Sequence, residues 1–423
     1  MSKQSRRSFI GTAVAAGALA ASCSKSQQSS VSIPKMLDQA PDGPVLKAGL
    51  IGCGGRGKGA ALQFISAGPN LQVTALADTF KDRLDDARNT IQKDKGQTVP
   101  EENCFVGFDG FQKVIDSGVD VILLATPPYF RPEHFAAAVA AGKNVFMEKP
   151  VAVDPVGARS VIETAGQAKT KNLTVVTGTQ RRHQKEYVET YSRVADGAIG
   201  EIVAARCYWN QNQLWYNEKR PEWSEMEWMI RDWVNWSWLS GDHIVEQHVH
   251  NIDVISWFTG THPVKAVGFG GKVHRVTGDQ YDHFSIDYSM ENGMHVHSMC
   301  RQINGCENNV SEFIVGTKGS TNCSDTIWNT DGSVAWQFEG KKGAPYFQEH
   351  IDMVTAIRTS EPINEGQNTA ESTLVGIMGR LSAYTGKETT WKEMIDSELT
   401  LGPKELTMGD VDVPRTIAVP GEK

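Results

Sequence analysis

The sequence predicts an α/β protein: an N-terminal doubly wound domain with a parallel sheet, then an α+β domain with a large, mainly antiparallel sheet. Three observations carry this. The stretch VLKAGLIGCGGRGKGA, residues 45–60, reads as a buried strand, a glycine-rich turn and a helix. Apolar strand-like runs then alternate with helical runs as far as residue 178, the pattern of a parallel sheet covered on both faces. Beyond Val264 several strand-like runs follow one another, as an antiparallel sheet requires. A chain of 423 residues is long for one domain, and the expected division is a leader at 1–30, a first domain at 44–178 and a second at 179–423.

The leader comes first in the chain. Lys3, Arg6 and Arg7 precede a short apolar core, Phe9 to Ala21, followed by small residues, which is the layout of an export signal. Ser5-Arg6-Arg7-Ser8-Phe9-Ile10 resembles a twin-arginine signal, read by a route that carries folded proteins to the periplasm. Ala20-Ala21-Ser22-Cys23 is an imperfect lipobox, so Cys23 is a candidate lipid anchor, with the Ser/Gln-rich residues 24–30 as a tether. No other membrane contact is expected, since no apolar run in the body reaches the ~18–20 residues of a span. A net charge of −8 argues against a nucleic-acid partner. The seven cysteines include no CxxC pair.

Gly52, Gly54 and Gly57 form GxGxxG between the strand 45–51 and a helix expected over 58–67, the Rossmann pattern for cradling a pyrophosphate at a helix N-terminus. The next strand, QVTALAD, ends at Asp78, where a carboxylate accepts from the adenosine ribose hydroxyls and favours NAD over NADP. VDVILLATPP, 119–128, is a near-continuous apolar strand, and Pro127 and Pro128 end it where a cofactor crevice opens. A helix over 132–141 stops at Gly142, and KNVFMEKP gives a strand that delivers Glu148 and Lys149 to the same edge. Gly55, Arg56, Thr126, Pro127 and His134 fall around this crevice. Val175 to Thr179 is the last strand of the first domain.

The glycine fingerprint, together with ATPPYFRPEHFAAAVAAGKNVFMEKP, resembles the glucose–fructose oxidoreductase / inositol dehydrogenase / MocA (Gfo/Idh/MocA) family, from about Val45 to Trp391. The resemblance implies that Lys149 sits beside the nicotinamide and the substrate hydroxyl. It implies that GTQRRHQKEY is the crossover segment, with Gln180 facing the cofactor and Arg181 and His183 the substrate. The family pattern Asp-x-x-x-His-x-x-Asp appears as Glu246, His250 and Asp253, with Glu in place of the first Asp. These three share one face if Asp242 to Phe258 is a helix. The family also implies a homo-oligomer built on an exposed sheet face.

Seven of the 11 Trp lie between Trp209 and Trp238, among Asn210, Arg220 and Arg231. Most are expected to pack, and the cluster also offers stacking faces for a sugar, with Asn210, Arg231 and Trp233 as candidate substrate residues. His243, Glu246, His248 and His250 are crowded but contain no HExxH, and no metal is expected. His295 and His297 alternate on a strand and read as sheet-surface residues.

The catalytic set is then Lys149, His250 and Glu246: His250 as general base, Lys149 stabilising the developing oxyanion, Glu246 orienting His250 or holding a further hydroxyl. The expectation is an exported oxidoreductase transferring hydride between a tightly bound NAD, with NADP less favoured, and a sugar, glycoside or cyclitol hydroxyl. The alternative is an NAD-dependent glycoside-cleaving enzyme working through a transient keto-sugar. A membrane-tethered sugar-binding protein would need neither Lys149 nor His250.

Overall fold

A computed structural model describes residues 36–422, so the twin-arginine motif, Cys23 and the tether lie outside the described residues. Residues 36–422 fall in one compact unit. Its first sheet has six parallel strands in the order β3-β2-β1-β4-β5-β6, the doubly wound arrangement expected from the alternation of runs. The strands are β1 (Leu46–Ile51), β2 (Leu71–Asp78), β3 (Cys104–Val106), β4 (Val121–Leu124), β5 (Asn144–Met147) and β6 (Val175–Thr177). Every residue of β4 is buried, because helices cover both faces. Those helices are α1 (Gly55–Ser66), α2 (Lys81–Lys95), α3 (Gly110–Asp116), α4 (Arg131–Ala140) and α5 (Pro155–Thr170). Helix α1 starts three residues earlier than expected, with Gly54 as its N-cap. The expected strand 119–128 is shorter than its apolar run: Pro128–Phe130 already forms a turn of 3₁₀ helix at the sheet edge.

The chain continues through α6 (Lys185–Ala195), β7 (Ile202–Gln211), α7 (Glu225–Arg231) and three helices in close succession. These are α8 (Ser237–Ser240), α9 (His243–Glu246) and α10 (Val249–Thr259). The strands β8 (Lys265–Gly271), β9 (His283–Ser289), β10 (His295–Gln302) and β11 (Asn309–Gly316) match the runs read from sequence. Four short strands complete the second sheet: β12 (Gly319–Thr321), β13 (Thr326–Asn329), β14 (Val334–Gln337) and β15 (Thr389–Thr390). The helices α11 (Pro345–Thr359), α12 (Gly366–Thr385) and α13 (Trp391–Asp396) close the chain.

The second sheet has nine strands in the order β14-β13-β12-β11-β7-β10-β9-β8-β15. All pairs are antiparallel except β7 with β10. On β10, Val296, Ser298, Cys300 and Gln302 are buried toward the helices. His295 and His297 occupy the opposite, exposed face, which also carries Phe269 at 72% exposure. Helix α12 is buried along most of its length and packs against α5, α10 and β8, so it joins the two halves of the unit. Among the described residues no helix is long and apolar enough to cross a membrane.

Candidate active site

The site begins where β1 ends. Gly52 has φ +95°, and a Cβ there would collide with the backbone of Ala125 and Thr126, so the ends of β1 and β4 are in close approach. A Cβ on Gly57 would overlap the carbonyl oxygen of Gly52. Gly54 and Gly55, by contrast, face open space with no atom within 4 Å of a built Cβ. Backbone N–H groups at the start of α1 are therefore accessible to an anion, and no acidic side chain occupies that first turn. Gly57→Ala is expected to lower the thermal midpoint and abolish nucleotide binding, at a cost of about 1–3 kcal/mol from overpacking. A melting curve and nucleotide titration matching wild type would contradict this account of the turn.

Asp78 closes β2. Its Oδ2 accepts from the Cys53 N–H at 2.7 Å and its Oδ1 from the Phe80 N–H at 2.9 Å. Burial raises its pKa, and the two N–H donors oppose that rise. Asp78 lines a cleft with Gly52, Gly54, Thr126, Pro127, His134 and Trp233. His134 stacks on Phe111 at 4.1 Å, and burial pushes it down to about 3, so its imidazole is neutral. Thr126 Oγ1, His134 Nδ1 and Gln180 Oε1 are buried without a protein partner. Open glycines at a helix N-terminus, a carboxylate at the end of β2 and the orphaned Thr126 and His134 atoms along the crevice together fit a dinucleotide.

Arg56, inside the glycine turn, is held by two carboxylates: Glu148 at the end of β5, and Glu349 of α11 at 2.6 Å. A Cβ on Gly178 would strike the Glu148 carboxylate, so glycine there makes room for this pair. Arg131 was missed by sequence reasoning. It is buried at the start of α4 and donates to the carbonyls of Thr126 (2.8 Å), Glu148 (3.0 Å) and Pro150. That clamp fixes the ends of β4 and β5 side by side. Burial lowers Arg131 to about 10, which leaves it charged at neutral pH. A cation at a helix N-terminus opposes the macrodipole, and that was the available signal that carbonyl partners must exist.

Lys149 follows β5, and its Nζ lies 3.0 Å from Glu246 Oε1 and also donates to the Glu246 backbone carbonyl. The second bond explains a difference from the expected helix over 242–258. A continuous helix would give the Glu246 carbonyl to the His250 N–H. Here the ammonium takes it, the His250 N–H turns to Gln247 O at 3.4 Å, and the helix divides into α9 and α10. His250 stands in the first turn of α10, its ring stacked on Trp209 with centroids 5.3 Å apart. Its Nδ1 is buried without a partner. Burial first, then the positive charges of Lys149, Arg181 and Arg56, hold His250 well below the usual imidazole range. It is a neutral ring able to take a proton.

Arg181 also belongs here: it pairs with Glu312 at 2.8 Å, bonds Asn251, and lies over Trp209 with Cζ 5.5 Å from the ring. The structure does not bring the other expected substrate residues to this point. Asp253 is turned inward, holding Arg182 through two bonds of 2.8 and 2.9 Å and accepting from Ser372 Oγ at 2.8 Å. Asn210 follows Trp209 on β7, and strand alternation sends it to the opposite face of the sheet. Arg231 and Trp233 lie at the Asp78 end of the cleft, with Arg231 bonded to Asp82. His248 bonds Ser298 Oγ at 2.7 Å and His243 bonds Asp242 at 3.0 Å, so the crowded histidines diverge. Among the described residues no three His, Cys, Asp or Glu converge on one point as metal ligands.

His183 is enclosed, with Nδ1 2.7 Å from Asp352 and Nε2 3.0 Å from Glu365. Burial alone would lower its pKa, but the Glu365 and Asp352 carboxylates overcome this and hold it well above 6.5. Glu365 is held below 4.5, where His183 and the Thr177 N–H outweigh burial. A raised histidine stabilises fully below its unfolded value, and that contribution fades as pH rises through its folded value. A lowered carboxylate stabilises above its unfolded value and loses this as pH falls. The triad therefore contributes most between pH 4.5 and 6.5. His183→Gln is expected to cost about 3–5 kcal/mol there, with the deficit shrinking in alkali. Melting curves of both proteins from acid to alkaline pH check this, and a deficit that grew with pH would refute it.

Two models of one family match the chain. The one described as "Oxidoreductase family, NAD-binding Rossmann fold" covers residues 46–177, and the "GFO/IDH/MocA C-terminal domain" covers 187–322. Together they span more than half of the sequence. An inositol 2-dehydrogenase of Klebsiella pneumoniae is 30% identical over 162 residues, 38% of this chain and 45% of that protein. A glycosyl hydrolase family 109 protein of Solibacter usitatus is 33% identical over 153 residues, 36% of this chain and 34% of that protein. The chain thus spans about half the length of the first relative and a third of the second. Among solved structures, myo-inositol 2-dehydrogenase from Lactobacillus plantarum superposes with a TM-score of 0.62 at 21% identity, covering 82% of this chain and 99% of that one. Aldose-aldose oxidoreductase from Caulobacter crescentus gives 0.62 at 18% identity, with 82% and 99% covered. Both share the fold. The fingerprint cradle, the Lys149 edge and the two matched models converge: the chain belongs to the GFO/IDH/MocA oxidoreductase family.

Proposed function

We propose that the protein oxidises a secondary hydroxyl of a sugar, glycoside or cyclitol, with NAD as its resident cofactor. One observation carries this reading. A neutral imidazole whose Nδ1 has no protein partner lies within the field of Lys149, which follows β5 at the carboxyl edge of the parallel sheet. Gly52, Gly54, Gly55 and Gly57 would hold the pyrophosphate, Asp78 the ribose hydroxyls, and Thr126 and Gln180 the polar edge nearer the nicotinamide. When bound, the nicotinamide supplies the two-electron acceptor for hydride from the carbinol carbon. His250 takes the hydroxyl proton. Lys149 faces the same oxygen and stabilises its developing negative charge, and Glu246 fixes the ammonium in place. Trp209 braces the ring of His250 from behind. Asp78 favours NAD, since a carboxylate repels a ribose 2′-phosphate.

The resemblance to glycosyl hydrolase family 109 proteins favours a second reading, in which the same oxidation opens a glycoside for cleavage and the hydride is returned. One experiment tests both. Purified protein is denatured to identify its nucleotide, then incubated native with a panel of sugars, glycosides and cyclitols. Accumulating reduced nicotinamide supports the dehydrogenase. Released aglycone without net reduction supports the cleaving enzyme. Absence of both, with no nucleotide held, refutes the proposal. Export by the twin-arginine route, with Cys23 lipidated, is part of the same proposal, since a chain that folds around its cofactor in the cytosol would cross the membrane already loaded. Cell fractionation with Arg6→Lys/Arg7→Lys tests it, and unchanged periplasmic yield would refute that route.

A further inference from the structure

Between β7 and α9 the chain makes a Trp-rich excursion, residues 212–242. Its apolar side packs on the first domain. Met226, Met229, Ile230, Trp236, Trp238 and Leu239 form one buried cluster with Phe80 and Phe130. Arg231 is the polar link. Its Nη1 and Nη2 lie 3.0 Å from the two oxygens of Asp82, its Nε 2.8 Å from Glu227, and its Cζ 4.0 Å from the Phe80 ring centroid. With both faces of its fork engaged, it has no free edge for a substrate. Phe80 and Asp82 come two and four residues after Asp78, and the Phe80 N–H is one of the donors that set the Asp78 carboxylate. Ile230 and Trp233, on either side of Arg231, line the cleft at that end. The C-terminal tail holds the excursion from outside: the Met226 N–H donates to Gly409 O at 3.0 Å, Arg415 pairs with Glu225 at 3.0 Å, and Val411 enters the buried cluster.

We propose that this excursion is a nucleotide clasp. Arg231 latches onto Asp82 and Phe80, which keeps Ile230 and Trp233 over the adenosine half of a pyridine dinucleotide and makes the cofactor a slowly exchanging resident. Arg231 is a positioning residue for that half of the site. The inference rests on the cofactor reading above. It also accounts for the large apolar segment that packs on Phe80 and Phe130 of the first domain.

The test uses the purified full chain, loaded with NAD and freed of excess by gel filtration. Exchange of bound NAD for added NADH is followed by nicotinamide fluorescence, in both directions, for wild type, R231A and D82N. Losing the fork, its pair and its ring contact is expected to speed both release and loading about tenfold in R231A. D82N removes the charge and one of the two acceptors of a side chain that is 64% exposed, so the fold is kept. It is expected to speed exchange about threefold, and it decides the matter if R231A does not fold. Faster release with faster loading marks an opened clasp, which a merely destabilised cradle would not produce. Equal exchange rates in wild type and D82N, with R231A equal or unfolded, overturn the clasp alone. A wild type that holds no NAD(H) or NADP(H) overturns the cofactor reading and the clasp together.

Discussion

Lys149→Met is expected to lower kcat for the oxidised hydroxyl by about 10²–10³-fold, the range for removing one donor from a developing oxyanion. Methionine keeps most of the length and apolar volume, so the loss is the ammonium with its two bonds to Glu246. The pair it breaks is buried, with side-chain exposures of 9% for Lys149 and 7% for Glu246. Stranding the Glu246 carboxylate therefore costs stability, by about 3–5 kcal/mol. Two controls separate the effects. Lys149→Met/Glu246→Gln removes the stranded charge and is expected to regain stability without regaining rate. Retained nucleotide, measured after denaturation, shows whether the cradle survives. A kcat within about threefold of wild type would remove Lys149 from the chemistry.

His250→Gln is expected to cost about 10²–10⁴-fold in kcat, the range for a positioned general base. The pH profile is the sharper measurement. Burial and three nearby cations depress the His250 pKa, so the wild-type acid limb of kcat/KM lies below pH 6.5. Lys149→Met removes one of those cations and is expected to move the limb upward. His250→Gln is expected to abolish it. A wild-type limb above pH 6.5, or one that survives the His250 substitution, would place the base elsewhere. The trend runs opposite to that of His183, whose carboxylates raise its pKa. Two buried histidines in one chain are thus tuned apart, His250 by burial and cations and His183 by carboxylates.

The first domain was legible because each of its main strands is buried on both faces and ends at a turn residue. Local pattern then determines place, and the glycine turn and Lys149 follow from it. The second domain was legible only where strands alternate. Strand β7 was missed, since IVAARCYWNQ shows little alternation of apolar and polar residues and only Ala205 and Cys207 are buried. Its parallel pairing with β10 joins residues about 90 positions apart, which no local signal encodes. At the site, residue type was readable but direction was not. Asp253 has the right spacing from His250, yet Arg182 outcompetes any ligand for it. Arg231 and Trp233 have the right composition for a sugar site, yet Arg231 stacks on Phe80 and Trp233 lines the cleft beside Asp78. Arg131 acts through backbone carbonyls, and its positive charge at the start of α4 was the one mark of this in the sequence.

The bond from Lys149 to the Glu246 carbonyl has a last consequence. A side chain from another domain occupies a rung of the backbone ladder, so one codon governs both a reactive charge and the path of the main chain 97 residues further on. Substituting Lys149 frees that carbonyl, and the main chain can close over the gap and carry His250 around the helix axis. Losses at positions 149 and 250 should then fail to multiply: the pair behaves as one inherited unit. The interval between α9 and α10 records, in its shape, whether the ammonium is present.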